Sequence, residues 1–175
     1  MEPPAPNHAY YQACHGAWRG RVCLRISHGK TLRSALGWMD VFSVYVMAFW
    51  PGWLGRFYLH TTVVYDPAGS VLHTTTIRWL GIPLLRSVES LALHDDGAGF
   101  DLQGTSSATF TPWRRLAMTG TGSVDCTATR ATYQCTWLGT ALHQVTHRVG
   151  DVVTVQQNAP GLQAHQTLHR QREAG

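Results

Sequence analysis

Hydrophobic and polar positions alternate almost without interruption between Gly16 and Ser27. The more apolar side of this stretch consists of Trp18, Gly20, Val22, Leu24 and Ile26. A period of two over about ten residues predicts a β-strand with one buried face. We expect Trp18 to fill the closed end of a β-barrel and Gly20 to mark a bend or a close backbone approach.

The same alternation of hydrophobic and polar positions returns after residue 56 and continues almost to the end of the chain. Residues 66–69, Asp-Pro-Ala-Gly, predict a β-turn that joins two strands into a hairpin, and residues 120–123 predict a turn or a bulge. Further strands are predicted over residues 56–65, 70–80, 84–94, 100–103, 108–111, 113–119, 128–137, 141–148, 152–157 and 162–170. About 8–10 short strands at such spacing are typical of an all-β sandwich or barrel, and we predict an antiparallel barrel.

Residues 31–54 interrupt the strand rhythm and contain the most apolar part of the chain. A strand is possible there, but we favour a helix because five side chains fall within about one face, namely Leu36, Met39, Ser43, Val46 and Met47. The segment would act as a lid over a cavity, with Trp38 and Phe42 facing the ligand, or simply complete the core. Asp40 is the one carboxylate in the apolar part of this segment. It would be either an N-terminal residue of the helix or an acid in the cavity.

Composition favours one folded domain, which we place at residues 10–172 behind a flexible tail at residues 1–9. Residues 10–15 predict a short helical turn before the first strand. The 175 residues are 44% hydrophobic and only 14% charged, which is sufficient for a core. The net charge of +4 is carried by scattered arginines without a basic run, so we expect no nucleic-acid partner. No apolar run is long enough for a transmembrane segment, and the N-terminus lacks a signal-peptide pattern, so we expect a cytoplasmic protein.

The pattern resembles the calycin superfamily, which comprises the lipocalin and fatty-acid-binding-protein barrels. The resemblance rests on Gly16-Ala17-Trp18 at the start of the first strand, on the succession of antiparallel strands and on an arginine near the end of the last. It implies that Arg170 packs across Trp18 at the closed end. It also implies that residues 31–54 form a lid like that of fatty-acid-binding proteins, and that the barrel encloses a small apolar or amphipathic molecule.

Glu89 is the most informative candidate for chemistry. In the segment 85–93 it shares the apolar face with Leu85, Ser87, Leu91 and Leu93, so its carboxylate is expected to point inward. An inward carboxylate needs a partner or a raised pKa. It would serve as a general acid or base, or as a ligand anchor. The structural alternatives are an ion pair with Arg78 or Arg86, or a bulge that turns Glu89 outward.

The remaining candidates are aromatic or polar residues on predicted strands. Possible acid or base groups beside Glu89 are Asp40, Tyr58 and Tyr133. Possible ligand-binding residues are Trp38, Phe42, His60, His73, Arg78, Trp113, Trp137, Gln144 and Gln156. Glutamine recurs with threonine on three late strands, either as a polar lining or as a solvated outer face. If that face is outside, residues 133, 135 and 137 form an inner wall that includes Tyr133 and Trp137.

No standard catalytic or cofactor motif is present, so we expect no cofactor. The i, i+4 histidine pairs lie about 13 Å apart on a strand, too far to share an ion, and we expect no metal site. Three hypotheses follow. The barrel binds a small hydrophobic or amphipathic molecule, it is a cofactor-independent isomerase or cyclase, or it is a structural or partner-binding domain with a filled core.

Overall fold

The computed structural model describes residues 4–26, 57–79, 81–108, 115–137, 140–160 and 162–171. Within them the chain forms one helix, α1 (Pro6–Cys14), followed by ten strands. The strands are β1 (Gly16–Ile26), β2 (Phe57–Asp66), β3 (Ser70–Trp79), β4 (Ile82–Leu93), β5 (Gly99–Ala108), β6 (Leu116–Val124), β7 (Arg130–Trp137), β8 (Thr140–Val149), β9 (Val152–Ala159) and β10 (Leu162–Arg170).

The strands form a closed antiparallel barrel in which each strand pairs with its neighbours in sequence and β1 pairs with β10. The closing ladder runs from the pair Trp18–Arg170 to the pair Ile26–Leu162. This architecture confirms the predicted all-β antiparallel barrel. Closure leaves no sheet edge, and alternation gives every strand one face toward the interior. The pairing of β3 with β4 shifts register between Ile77 and Arg78.

The first strand behaves as its alternation predicts. Trp18 is 2% exposed, whereas Arg19 and Arg21 are exposed on the outer wall. Gly20 lies where β1 and β10 approach each other, since a Cβ atom at this position would lie 1.8 Å from the carbonyl oxygen of Thr167. Only glycine permits that approach without moving the strands apart.

Helix α1 closes one end of the barrel. Pro6 stands at the start of the helix, where its missing N–H costs no hydrogen bond. Asn7 is fully buried and donates from Nδ2 to the carbonyl oxygens of His94 and Gly99, both at 3.0 Å. These bonds attach the helix to the connection between β4 and β5. Residues 6–9 were expected in a flexible tail, and the structure corrects this because tertiary hydrogen bonds hold them in the helix.

Glycines explain why the middle strands β5 and β6 differ from the strands predicted from the sequence. The turn or bulge predicted at residues 120–123 is wrong, because β6 continues through these residues without a shift of register. A Cβ on Gly122 would lie 2.1 Å from Cζ of Phe100, so the missing side chain makes room for that ring. The gap predicted between the short strands 100–103 and 108–111 is wrong, because β5 continues from Gly99 to Ala108 and passes through Gly104 beside the backbone of Val88. Residues 109–111 lie outside the described residues. The lid predicted over residues 31–54 lies outside the described residues.

Candidate functional site

The barrel interior contains a cavity of about 170 Å³. Its walls are mostly aliphatic and aromatic, and its floor includes Tyr10, Tyr11 and Cys14 of α1 together with Trp18 of β1. Trp18 Nε1 donates to the carbonyl oxygen of Cys14 at 2.8 Å, so the indole joins the helix to the strand. The interior is a largely apolar space with a small number of polar groups on its wall.

Arg170 supports this floor from below. Its guanidinium carbon lies 4.6 Å from the ring centroid of Trp18, within the range of a cation–π contact. The same guanidinium donates to the carbonyl oxygens of Ala13 and His15 and pairs with Asp151 at 3.1 Å. The arginine–tryptophan contact implied by the calycin resemblance is thus present in the geometry.

A carboxylate–histidine pair lies on the inner wall. Glu89 of β4 and His73 of β3 are direct cross-strand partners, and Nδ1 of His73 lies 3.1 Å from Oε2 of Glu89. The hydroxyl of Ser87 donates to Oε1 of Glu89 at 3.2 Å. The side chains of His73 and Glu89 are only 21% and 17% exposed. The pair therefore faces the cavity and has little contact with bulk solvent.

The partners of Glu89 keep its carboxyl group ionised. Burial raises its pKa, but the hydrogen bond and charge of His73 and the hydrogen bond from Ser87 together lower the pKa below its ordinary value of 4.5. The sequence predicts either a raised pKa for Glu89 or an ion pair with Arg78 or Arg86. Both arginines are exposed on the outer wall, and His73 is the partner instead.

A row of glutamine side chains crosses the wall formed by β8, β9 and β10. Gln166 donates from Nε2 to Oε1 of Gln157 at 3.3 Å, and Gln157 donates from Nε2 to Oε1 of Gln144 at 2.6 Å. Gln144 in turn donates to Oγ1 of Thr146 at 3.4 Å. All four residues line the cavity. We call Gln144, Gln157 and Gln166 the glutamine row.

Two further polar contacts fix aromatic side chains at the cavity wall. The hydroxyls of Tyr11 and Tyr133 are 2.8 Å apart, and Nε1 of Trp137 donates to Oγ of Ser106 at 2.9 Å. Burial raises the pKa of Tyr133 well above its ordinary value, and the nearby charge of Glu89 raises it further, against the lowering effect of the Tyr11 hydrogen bond. The Tyr133 phenol therefore keeps its proton at neutral pH and is able to donate a hydrogen bond.

The structure places several of the residues predicted from the sequence together in the cavity. These are Glu89, His73, Tyr133, Trp137 and Gln144. Their strands point them inward because each alternates with exposed or half-buried neighbours on the outer wall. Asp40, Trp38, Phe42 and Trp113 lie outside the described residues, so their predicted roles stay predictions.

Four predicted residues lie on the outer wall, and the structure corrects their placement. His60, Arg78 and Gln156 are exposed, and Tyr58 is half-buried beneath Arg19, whose guanidinium carbon is 5.1 Å from the ring centroid. The reason is strand parity. The neighbours of these residues, such as Leu59 and Ile77, are the ones that face the core.

Two members of the glutamine row, Gln157 and Gln166, were not predicted from the sequence. Gln166 shares its face with Leu162, Ala164 and Leu168. Gln157 shares its face with Val153 and Val155. Both signals were present in the alternation, but one polar residue among apolar neighbours does not show that three strands align their glutamines side by side.

All four cysteines lie in described segments and all are free thiols. Burial raises the pKa of Cys14 to about 11, and burial with the nearby charge of Glu89 raises that of Cys135 to about 11. No group of three metal-ligating side chains converges anywhere in the described residues. The same residues include no helix with the length and apolar character needed to cross a bilayer.

These observations define the protein as a closed ten-strand antiparallel β-barrel, over the residues that the structure describes, with an internal cavity. No protein-family model and no curated protein matches the sequence. Solved structures do match. Rv2717c from M. tuberculosis is 16% identical, the match covers 97% of this chain and 100% of that one, and the TM-score is 0.62.

Two secretory abundant heat soluble proteins from Ramazzottius varieornatus also match. One, protein 4, is 8% identical over 98% of this chain and 100% of that chain, with a TM-score of 0.52. The other is 9% identical over 91% of this chain and 96% of that chain, with a TM-score of 0.50. At such low identity these similarities support the barrel fold alone, and membership of the calycin superfamily stays a prediction.

Proposed function

We propose that the protein binds a small amphipathic molecule inside the barrel. The observation that carries this proposal is the cavity itself, whose apolar wall is interrupted by the ionised carboxylate of Glu89 and its partner His73. An apolar space with a few oriented polar groups is the usual form of a small-molecule site. His73 and Ser87 use one lone-pair position on each oxygen of Glu89, and a ligand that donates a hydrogen bond can use the remaining positions.

The direct test is native mass spectrometry of the protein purified from its own source, with identification of the released small molecules. One co-purified compound at close to unit stoichiometry is the expected result. A protein that is empty, and whose tryptophan fluorescence does not respond to a panel of lipids, polyketides and terpenoids, would contradict the proposal.

A matched pair of variants locates the site. Ala164→Phe introduces a ring into the cavity, because Ala164 is buried on β10 and lines it. Ala117→Phe introduces the same ring on the outer wall of β6, where Ala117 is exposed. Ala164→Phe should abolish ligand retention and Ala117→Phe should preserve it. Equal retention by both variants would place the ligand outside the barrel.

A second candidate function is cofactor-independent isomerisation or cyclisation of the bound molecule. The specific observation that favours it is the 3.1 Å contact between Glu89 and His73, because such a pair can accept and return a proton at the wall of the cavity. Tyr133 would supply a hydrogen bond to developing negative charge. Incubation of candidate precursors with wild type and Glu89→Gln tests it. Turnover by wild type that falls at least about 100-fold in Glu89→Gln would support an enzyme.

A further inference from the structure

The described lining of the cavity has a carboxylate but no lysine or arginine, and this imbalance restricts the charge of the ligand. Among the described residues that line the cavity, Glu89 is the one carboxylate, and neither lysine nor arginine is present. The one lining group able to carry positive charge is His73, and its Nδ1 already contacts Glu89. A ligand carboxylate would therefore enter a poorly solvated space beside a like charge.

Two arginines lie near the floor, but neither is among the lining residues. Arg170 lies over Trp18 and is bonded to two carbonyl oxygens and to Asp151. Arg148 donates from Nη1 to the carbonyl oxygen of Gly150. Neither guanidinium therefore forms part of the cavity lining.

Glu89 retains capacity to accept hydrogen bonds. A carboxylate has about four lone-pair positions, and the contacts with His73 and Ser87 use one on each oxygen. An alcohol, an amide or an ammonium group of a ligand can donate to the remaining positions. A carboxylate cannot, because it has no proton to donate at neutral pH.

The glutamine row provides a second polar position on the opposite wall. β4 and β9 are separated by four strands in each direction around the ring. Each amide of the row uses one N–H in its recorded hydrogen bond, which leaves a second hydrogen for a ligand acceptor. Between the two polar positions the wall includes apolar side chains such as Leu102 and Met118.

We propose that the barrel selects a compact two-ended amphipath, whose neutral or cationic donor group binds Glu89 and whose second polar group binds the glutamine row, and that it rejects carboxylates. This inference rests on the proposed function and specifies the chemical class of its ligand. It implies the opposite charge preference to that of a site built to hold a fatty-acid carboxylate by an arginine.

Isothermal titration calorimetry of the full chain with octylamine, 1-octanol and octanoate tests the rejection of carboxylates, because the three molecules differ only in the head group. Octanoate should bind at least about 10-fold more weakly than the other two. Glu89→Gln should bring octanoate to within about threefold of octanol, while the outer-wall control Asp101→Asn leaves the difference unchanged. The change in Glu89→Gln preserves the size of the side chain, and its circular dichroism spectrum verifies folding.

A second pair of variants tests the opposite wall with 8-aminooctanamide, which carries a polar group at each end. Gln157→Leu should weaken its binding about 10-fold and that of octylamine less than about twofold. Gln156→Leu, one residue away on the outer wall, should change neither. Octanoate that binds as tightly as octanol, or equal losses for both amines in Gln157→Leu, would overturn the inference and leave the ligand site intact. Failure of all four probes would instead count against the proposed function.

Discussion

Removal of the imidazole in His73→Ala is expected to destabilise the barrel by about 2 kcal/mol at neutral pH. The variant leaves the Glu89 carboxylate with the single hydrogen bond from Ser87. A hydrogen bond to a charged group contributes about 1.5–3 kcal/mol, and cavity water is expected to recover part of that loss because Glu89 is 17% exposed. The expected value therefore lies in the lower part of that range.

A double-mutant cycle separates this pairwise contribution from other effects of the substitutions. Glu89→Gln alone should cost about 1 kcal/mol, since His73 and Ser87 contact different oxygens of Glu89 and the single amide oxygen can keep one of these two contacts. The double variant should cost about 1.5 kcal/mol, because it leaves no buried charge without a partner. The coupling energy between His73 and Glu89 is then about 1.5 kcal/mol.

Urea unfolding followed by tryptophan fluorescence measures all four corners of the cycle. His94 and Asp101 provide a matched control, because they form a pair at 3.2 Å with side chains that are 42% and 58% exposed. Their coupling should be close to zero, since solvent screens exposed pairs. A coupling for His73 and Glu89 that is also indistinguishable from zero would refute the view that this pair is a stabilising feature of the inner wall.

The same pair predicts how stability depends on pH. The folded state lowers the pKa of Glu89 below its ordinary value of 4.5, so the unfolded state binds more protons in that range. The stabilisation due to Glu89 is therefore fully present above pH 4.5 and is lost as the pH falls through the folded pKa. The stability difference between wild type and Glu89→Gln should shrink below pH 4.5, and a difference that grows there would contradict this sign.

Three further outcomes are expected. Gly20→Ala should destabilise the barrel by about 3 kcal/mol in urea unfolding, because a Cβ 1.8 Å from a backbone oxygen forces the closing strands apart. A thiol-specific reagent at pH 8 should label exposed Cys126 quickly and Cys14 slowly, since a pKa of about 11 leaves about 0.1% of the latter as thiolate. Arg170→Met should lower the unfolding free energy by about 1–2 kcal/mol and shift the Trp18 emission, because it removes a cation–π contact and the bonds to the helix.

Each of these outcomes has a control. Gly81→Ala carries the strain of a positive φ but meets no atom within 4 Å, so a loss as large as that of Gly20→Ala would rule out the steric explanation. The labelling rate of Cys14 should reach that of Cys126 only when urea unfolds the protein. Arg130→Met changes an exposed arginine on β7, and an equal effect there would show that the Arg170 contacts contribute nothing specific.

The sequence alone determined the class of fold and much of the inner wall. A period of two is a local property of each strand, so the alternation around Trp18 and the apolar face that contains Glu89 could be read without any knowledge of neighbouring strands. The turn at residues 66–69 was equally local. It is closed by the Gly69 N–H, which donates to the carbonyl oxygen of Asp66 at 3.0 Å.

Only the tertiary structure decided which residues meet. His73 lies opposite Glu89 because β3 and β4 pair in one register, and sequence spacing did not reveal that contact. Residues 120–123 were predicted as a turn or a bulge, because the reason for Gly122 lies outside its own strand. That reason is the ring of Phe100 on the neighbouring strand. Polar strand faces such as the one with Tyr58 could not be assigned to either side, because a cavity with polar groups and a solvated surface favour the same residue types. Barrel closure fixes the inward direction of every strand, and that is a property of the whole sheet.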